Sequence, residues 1–318
     1  MSTKSKIIGT KKTVIGGCTA DNASLDAKEL QAIKFLRSIA ATHEPLFLAY
    51  SGGKDSEVLM HLAEKAHIEY VPFFNVTTID WPGTLTWVQR TGKVMINRPR
   101  LSFFQLIEHR GLPSPFQRFC CAKLKERFVA HNIITGVRRA ESKRRADRYK
   151  EPTQCHIYKN GQRGEDFMPL LDWTNEDIAA YIEREHIQCH PIYYENDGSF
   201  NVNRRLGCMA CPLKYDHGKQ DFMQYPILIR AWCRALAVYR NTRPHPTKSV
   251  IYFRDEYENF YHNLFHKSLK ELDSKRNQPN GFDPRTELET IFHMKLDPPK
   301  SKLTAIMARW ETNQNQAR

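Results

Sequence analysis

From Leu25 onward the chain carries a helical spacing of apolar residues, and the stretch LDAKELQAIKFLRSIAATH sets Leu30, Ile33, Leu36 and Ile39 along one face. The next run, PLFLAY, is short and almost wholly hydrophobic, the pattern of a strand buried on both faces of a parallel sheet. SGGKDSEVLMHLAEKA then reads as a glycine turn running into a helix, and EYVPFFNV as a second strand. The alternation continues with TLTWVQRTG as helix, KVMIN as strand, LSFFQLIEHRG and CCAKLKERF as helices, and HNIITGV as strand. Repeated alternation of this kind predicts an α/β fold on a doubly wound, mainly parallel sheet. Past Gly136 the pattern changes to a basic run, RRAESKRRADRYK, and then to a helical C-terminal half. Its helices are expected in LDWTNEDIAAYIEREH, where Thr174 is the N-cap and Asp177 closes a capping box, and in QYPILIRAWCRALAVYR and YENFYHNLFHKSLKELDSK. The expected organisation is an N-terminal segment (1–25) without apolar period, an α/β domain (26–215) and a helical C-terminal region (216–318).

The 318 residues include 48 Lys or Arg against 35 Asp or Glu, a formal net charge of +13. An apolar share of 41% is enough to bury a core and excludes a fully disordered chain. No apolar run reaches the roughly 18 residues of a membrane span. The opening MSTKSKIIGTKKT lacks the apolar centre of a secretory signal, so a cytoplasmic chain with no membrane partner is expected. The positive surplus points to an anionic partner, a nucleotide or a nucleic acid. Residues 201–318 alone hold 20 Lys or Arg against 12 Asp or Glu, interleaved with Tyr, Phe and Trp, which suits a DNA or RNA acceptor.

The most informative chemistry lies in Ser51-Gly52-Gly53-Lys54-Asp55-Ser56, between an apolar strand and an amphipathic helix. Two glycines let backbone approach an anion, the amides of a helix start point at it, Lys54 adds positive charge, and Ser51 and Ser56 can donate hydroxyl bonds. The spacing of the ordinary nucleotide P-loop is absent. The six residues resemble the PP-loop of ATP pyrophosphatases, whose fold is the adenine nucleotide alpha hydrolase-like, HUP type. The resemblance implies that the loop holds the pyrophosphate end of ATP, that the bond between the α and β phosphates breaks, and that Asp55 helps to place Mg²⁺.

Three later segments narrow the resemblance to the phosphoadenosine phosphosulfate reductase family. Gly136-Val137-Arg138-Arg139-Ala140-Glu141-Ser142-Lys143-Arg144-Arg145 resembles its G-x-R-x-x-E-S-x-x-R segment. Met168 to Thr174, with Asp177 and Tyr181, resembles its P-[IL]-x-x-W-[ST]-x-x-D helix start. His190-Pro191-Ile192-Tyr193 and Arg205-Leu206-Gly207-Cys208-Met209-Ala210-Cys211-Pro212 complete a match over roughly residues 25–215. Gly136, Arg138, Arg139, Glu141, Ser142 and Arg145 are thereby implied in nucleotide binding, and guanidinium groups suit phosphate or sulfate oxygens. A solvated basic face is the alternative for the residues beyond Arg139, and Trp173 and Tyr181 are read as core.

Of eight cysteines, four form two local pairs, Cys120-Cys121 and Cys208-x-x-Cys211. Four thiolates can hold zinc or a 4Fe-4S cluster, or stand as reduced thiols. An adjacent pair is poor for structural zinc, and C-C followed by C-x-x-C resembles the cluster ligands of adenylylsulfate reductases and related sulfur-handling PP-loop proteins. Cys233 reads as core, Cys155 and Cys189 lack partner spacing, and Cys18 is a lone loop thiol that could carry sulfur.

The reductases carry a nucleophilic cysteine in an E-C-G-[IL]-H tail, whereas residues 234–318 contain none, and the loop keeps the full SGGKDS. Both departures favour ATP-dependent adenylyl transfer over reduction. The functional expectation is therefore an adenylyl-transferring enzyme of sulfur metabolism, similar to the DndC-like sulfurtransferase branch. It would activate an acceptor, either a nucleic acid such as DNA or RNA or a small molecule, for sulfur insertion with an iron-sulfur cluster and a sulfur donor such as a cysteine desulfurase. A sulfonucleotide reductase and a non-catalytic nucleotide- and nucleic-acid-binding module stay open as alternatives, while a sulfurylase resembling the small subunit of ATP sulfurylase ranks below them because that group shares the loop but does not suggest the cysteine quartet.

Overall fold

The computed structural model describes residues 22–296 apart from 129, 158–160, 162, 243–251, 266–267 and 280. Cys18 and the rest of the N-terminal segment before residue 22 lie outside the described residues. The chain forms two compact units, neither continuous in sequence. One comprises Met1–Asn75, Trp81–Asn97 and Phe128–Gly207, and the other Val76–Asp80, Arg98–Arg127 and Cys208–Arg318.

The first unit is built on a six-stranded sheet of β1 (Phe47–Ala49), β2 (Val71–Asn75), β3 (Met95–Asn97), β4 (Asn132–Ile134), β5 (Thr153–Ile157) and β6 (Arg163–Phe167). Their spatial order is β3-β2-β1-β4-β6-β5, parallel except for the β5–β6 pair. This is the α/β architecture that the alternation predicts. Its helices are α1 (Asn22–Ala40), α2 (Lys54–Lys65), α3 (Thr84–Gln89), α5 (Lys143–Arg148) and α6 (Asn175–Arg184). Leu48 at the centre of β1 and Val58, Leu59, Leu62 and Ala63 of α2 have no exposed surface. Burying each such leucine or valine contributes about 1.5–3 kcal/mol, so the strand-loop-helix unit that carries the glycine turn is anchored at both ends.

Two details differ from the sequence expectation. In α1 the buried positions are Leu25, Ala32, Leu36 and Ile39, whereas Leu30 is 53% exposed. Leu36 and Ile39 are buried as expected, but the small Ala32 faces the core where Leu30 was expected to, so only the start of the apolar stripe is shifted. Strands β5 and β6 fall where only a basic run and helices were expected. Their sequences, TQCHI and RGEDF, are too polar to register as buried strands, and β5 is an edge strand, paired only by the antiparallel β6. The capping box forms as expected, with Asp177 N–H donating to Thr174 Oγ1 (3.2 Å) and Thr174 N–H donating to Asp177 Oδ2 (2.7 Å).

The second unit packs α4 (Phe103–Arg110) against α8 (Ile227–Asn241), with α7 (Lys219–Gln224), α9 (Glu256–Phe265), α10 (Leu269–Arg276) and α11 (Pro284–Ile291) around them. Its core is aromatic: Trp232 lies 5.1 Å from Phe103 and 5.5 Å from Phe222, and Phe222 lies 5.2 Å from Phe260, ring centre to ring centre. Cys233 is buried, as its place in an apolar helix suggests. The stretch CCAKLKERF is a single π turn over Cys121–Lys125 rather than a full α-helix. No helix among the described residues is long and apolar enough to cross a membrane.

Within this unit Glu258 is wholly buried and accepts bonds from Arg254 Nε (2.8 Å), Arg276 Nε (2.9 Å) and Arg276 Nη2 (2.6 Å). Burial alone would raise its carboxyl, but Arg276 and Arg254 hold it down at about 2 against an ordinary 4.5. The ion pairs therefore stabilise the fold fully above pH 4.5, and the stabilisation is lost as pH falls through about 2. Glu258→Gln should cost about 2 kcal/mol, less than a fully buried pair because both arginines keep access to water. Urea unfolding from pH 7 to pH 2 should show the wild-type advantage shrink on acidification, and an advantage independent of pH would refute the assignment.

Candidate active site

The sheet reverses its winding at β1 and β4, neighbouring parallel strands whose following loops leave from the same edge. Ligands of open α/β sheets bind at such a switch point. After β1 the chain turns through Ser51-Gly52-Gly53 into α2. Gly52 adopts φ +71°, and a Cβ there would stand 3.2 Å from Val88 Cγ2 and 3.3 Å from Trp87 Cδ1. The turn supports itself: Ser51 N–H donates to Ser56 Oγ (3.2 Å), Gly53 N–H to Ser51 Oγ (3.3 Å), and Ser56 Oγ–H to the Gly53 carbonyl (2.8 Å). Gly53 is the N-cap of the 12-residue α2 and has no side chain to cover its first amides. The partial positive charge of the helix start therefore faces the turn.

Lys54 and Asp55 occupy the first positions of α2. The ammonium of Lys54 is buried, 3.1 Å from Asp55 Oδ2 and 5.6 Å from the centre of the Tyr193 ring. Burial lowers its pKa below the ordinary lysine value, Asp55 opposes this, and the charges of Arg138 and Arg205 lower it further. From the β4 side Gly136 passes so close to Asp55 that a Cβ would lie 3.2 Å from the Asp55 carbonyl oxygen. Arg138 is only 1% exposed, and its guanidinium donates to Asp55 Oδ1 (2.7 Å), the Trp173 carbonyl (3.1 Å) and Asn175 Oδ1 (2.9 Å).

Glu141 accepts from the Arg138 backbone N–H (3.2 Å), from Arg205 Nη2 (2.9 Å) and from Arg145. Burial lowers the pKa of Arg145, and the like charges of Arg205 and Arg138 add to that effect. Ser142 caps α5, its Oγ accepting the Arg145 N–H (3.2 Å). Four cations, Lys54, Arg138, Arg145 and Arg205, thus act on one another, with Asp55 and Glu141 as their carboxylate partners. An anion would complete this arrangement. Arg139 is not brought to the group: its guanidinium donates to the Tyr149 carbonyl (2.8 Å), the Lys150 carbonyl and Asp172. Trp173 and Tyr181 are core residues, as read from the sequence.

Three contributors carry no role in the sequence reading. Arg205 joins the cations. Tyr193 takes the Leu206 N–H on its hydroxyl (3.1 Å), and burial pushes its phenol up to about 12, so it stays neutral. Glu57 is buried and accepts from Tyr50 Oη (2.6 Å), Trp87 Nε1 (2.7 Å) and Arg90 Nη2 (2.9 Å), which fixes Trp87 beside Gly52. Arg205 and Tyr193 stand inside quoted motifs and were legible there, whereas Glu57 gave no signal because two of its partners lie on α3 or at its end.

For Mg²⁺ the structure offers Asp55, both of whose oxygens face cations. Magnesium generally takes one or two carboxylates plus substrate phosphates, so Asp55 fits such a role when a nucleotide brings the remaining ligands.

The cysteine quartet belongs to the second unit. Cys208 pairs with Asp80 in an isolated bridge, and the Met209 N–H donates to the Ile79 carbonyl (2.8 Å). Ala210 adopts φ +49°, and its N–H donates to Asp221 Oδ2 (2.6 Å). Gly218 lies against that turn, where a Cβ would be 2.6 Å from Ala210 Cα. Cys120 hydrogen-bonds Cys121, which raises Cys120 and lowers Cys121; burial and the fields of Cys208 and Cys211 raise Cys120 further. Arg118 Nη2 stands 3.9 Å from Cys121 Sγ. Burial pushes Cys208 up to about 11, against the charge of Lys125. The four thiols share one neighbourhood with positive side chains beside it, which fits the donor chemistry of a thiolate-bound group. They are not closed into one coordination sphere, since no three His, Cys, Asp or Glu among the described residues form a metal-holding group.

Comparison with known proteins assigns the family. The phosphoadenosine phosphosulfate reductase domain matches residues 45–214, and the chain belongs to that family. It is similar to sulfate adenylyltransferase subunit 2 of Mycolicibacterium gilvum, 27% identical over 62% of this chain and 72% of the relative. A subunit of the same name from Alkalilimnicola ehrlichii is 30% identical over 54% of this chain and 64% of its own. An uncharacterized protein of Methanocaldococcus jannaschii is 25% identical over 69% of this chain and 47% of its own, so the chain spans about half the length of this archaeal relative. Among solved structures, phosphoadenylyl-sulfate reductase from Candida auris in a phosphate complex aligns with 60% of this chain and 97% of its own, at 15% identity and a TM-score of 0.41.

Both close glycine contacts predict graded damage. Gly136→Ala needs a few tenths of an ångström from the Asp55 backbone, and overpacking of this kind costs about 1–3 kcal/mol. Gly218→Ala meets backbone at 2.6 Å with φ +82° and should be the more destabilising. Chemical denaturation of the two variants should give that order, and the reverse order would contradict the packing described.

Proposed function

We propose that this chain is an ATP-dependent adenylyl-transferring enzyme of sulfur metabolism that activates a nucleic-acid acceptor for sulfur insertion, as the DndC-like resemblance suggests. The observation that carries the reading is the gathering of Lys54, Arg138, Arg145 and Arg205 around the start of α2, where anionic phosphates complete an otherwise over-positive group. An acceptor oxygen attacks the α-phosphate of ATP, the bond to the β-phosphate breaks, and pyrophosphate leaves with the electron pair. Lys54 and the amides of the glycine turn stabilise that leaving charge. Asp55 orients Lys54 and Arg138 and is the residue that would hold Mg²⁺, which supplies further neutralisation of phosphate charge when bound. AMP on the acceptor is then a good leaving group: the terminal sulfur of a persulfide from a donor such as a cysteine desulfurase displaces it, and two equivalents of a thiol reductant then cleave the resulting disulfide, leaving sulfur on the acceptor and a new disulfide between the thiols.

Cys120, Cys121, Cys208 and Cys211 are the residues that would hold a 4Fe-4S cluster, which would supply sulfur or electron relay. Arg118 and Lys125 offset the charge of thiolates there. A second reading uses the same α-phosphate chemistry with sulfate as the acceptor. It is favoured by the relatives named sulfate adenylyltransferase subunit 2, although they match only about half to two thirds of this chain.

Anaerobically prepared protein with ATP and Mg²⁺ should release pyrophosphate, and Lys54→Ala and Asp55→Ala should each lower the rate about 100-fold or more. Stimulation by DNA or RNA supports the first acceptor class and stimulation by sulfate the second. Release indifferent to both substitutions would sink adenylyl transfer at this loop.

A further inference from the structure

The second unit contains a cavity of about 740 Å³ that the chemistry above does not use. It lies in the size range of small-molecule and nucleotide sites. Its walls combine aromatic and amide side chains. Phe119, Tyr239 and Phe253 provide ring faces and edges, Asn259 and Asn263 provide amides, and Arg110 provides a cation.

The arrangement is built by the fold. Gly111, at φ +78°, ends α4, and the Tyr239 ring approaches to 3.1 Å of where a Cβ would be, so a glycine is needed for the ring to take its place. Asn259 and Asn263 stand four residues apart on one face of α9 and are linked, Asn263 Nδ2 donating to Asn259 Oδ1 (3.1 Å) and to its carbonyl (3.2 Å). Asn259 directly follows the buried Glu258 that Arg254 and Arg276 clamp, which holds this helix in place. Arg110 is exposed, its guanidinium 5.9 Å from the centre of the Phe119 ring. At the rim, Ser114 and Gln117 close a turn through Gln117 N–H donating to the Ser114 carbonyl (3.1 Å), and that turn carries Phe116 with 97% of its surface in solvent.

We propose that this cavity receives an unstacked nucleobase of a single-stranded nucleic acid, a proposal that rests on the nucleic-acid acceptor reading and extends it to a second site. A purely apolar ligand would make no use of the polar edge that the linked amides of Asn259 and Asn263 present, and an isolated phosphate would make no use of the three rings. A planar heterocycle with donors and acceptors on its edge uses both, as extruded or single-stranded bases generally do. Arg110 is placed for the adjoining backbone phosphate, and Phe116 offers a free ring for the next base to stack on.

The test uses the full chain and short fluorescent oligonucleotides of DNA and of RNA, compared with abasic strands of the same length and with free nucleoside monophosphates. Base-bearing single strands should bind more tightly than abasic ones. Phe116→Ala and Asn263→Ala, both at exposed positions and both checked for unchanged thermal unfolding, should weaken that binding by roughly 5- to 100-fold each, the usual effect of losing one stacking or edge contact. Equal binding of abasic strands, wild-type affinity in both variants, or free monophosphates binding as tightly as strands would overturn the proposal. The DNA and RNA arms identify the sugar. Base-dependent binding without any effect on pyrophosphate release would keep the cavity assignment and remove the acceptor reading, so the two fail separately.

Discussion

The first unit turns on one buried charge. Arg138 has 1% of its surface exposed, and leaving a guanidinium there without partners would cost several kcal/mol. Its nitrogens are satisfied by Asp55, by the Trp173 carbonyl and by Asn175, which come from the start of α2 and from the start of α6. One side chain therefore ties the loop after β4 to the loop after β1 and to a helix cap. Lysine could not replace it, because a single ammonium cannot reach three acceptors set around a plane. Because Asp55 answers both Arg138 and Lys54, the cations remain in surplus, and the positive charge of the group comes from the same contact that holds the loops together.

The glycines act at the same place. Gly52 bends the backbone after β1, and Gly136 brings the β4 loop within contact of the Asp55 backbone. A side chain at Gly136 would press on the backbone that carries Asp55, the residue that bridges Lys54 and Arg138. Glu57 completes the support from beneath by fixing Tyr50, Trp87 and Arg90 around one carboxylate, with burial raising its pKa and those three donors lowering it. The loop is thus preorganised by its surroundings as well as by the hydrogen bonds among its own six residues.

Much of this was legible in the sequence because short apolar runs and a glycine turn are local signals. PLFLAY, EYVPFFNV, KVMIN and HNIITGV all contain parallel strands, and Ser51 to Ser56 form the turn where the motif places it. Strands β5 and β6 were not legible, because an edge strand and its partner can be polar when pairing, not burial, holds them. Arg139 illustrates a different limit. It is adjacent to Arg138 and chemically identical, yet it turns to Tyr149, Lys150 and Asp172, and no one-dimensional pattern separates a guanidinium facing the site from its neighbour facing away.

The cysteine pairs show how spacing and geometry divide the work. The turn at Cys208–Cys211 is fixed by Ala210, Asp221 and Gly218, and Cys120 feels the fields of Cys208 and Cys211, while the spacing alone says nothing of how the two pairs meet. Thiolates repel one another and burial raises Cys208, so Cys120 and Cys208 hold their protons, whereas the hydrogen bond from Cys120 and the charge of Arg118 lower Cys121. Closing the four sulfurs into one shell requires a positive centre that replaces those protons. Arg118 and Lys125 lower that cost at Cys121 and Cys208, because each favours the thiolate of the cysteine beside it.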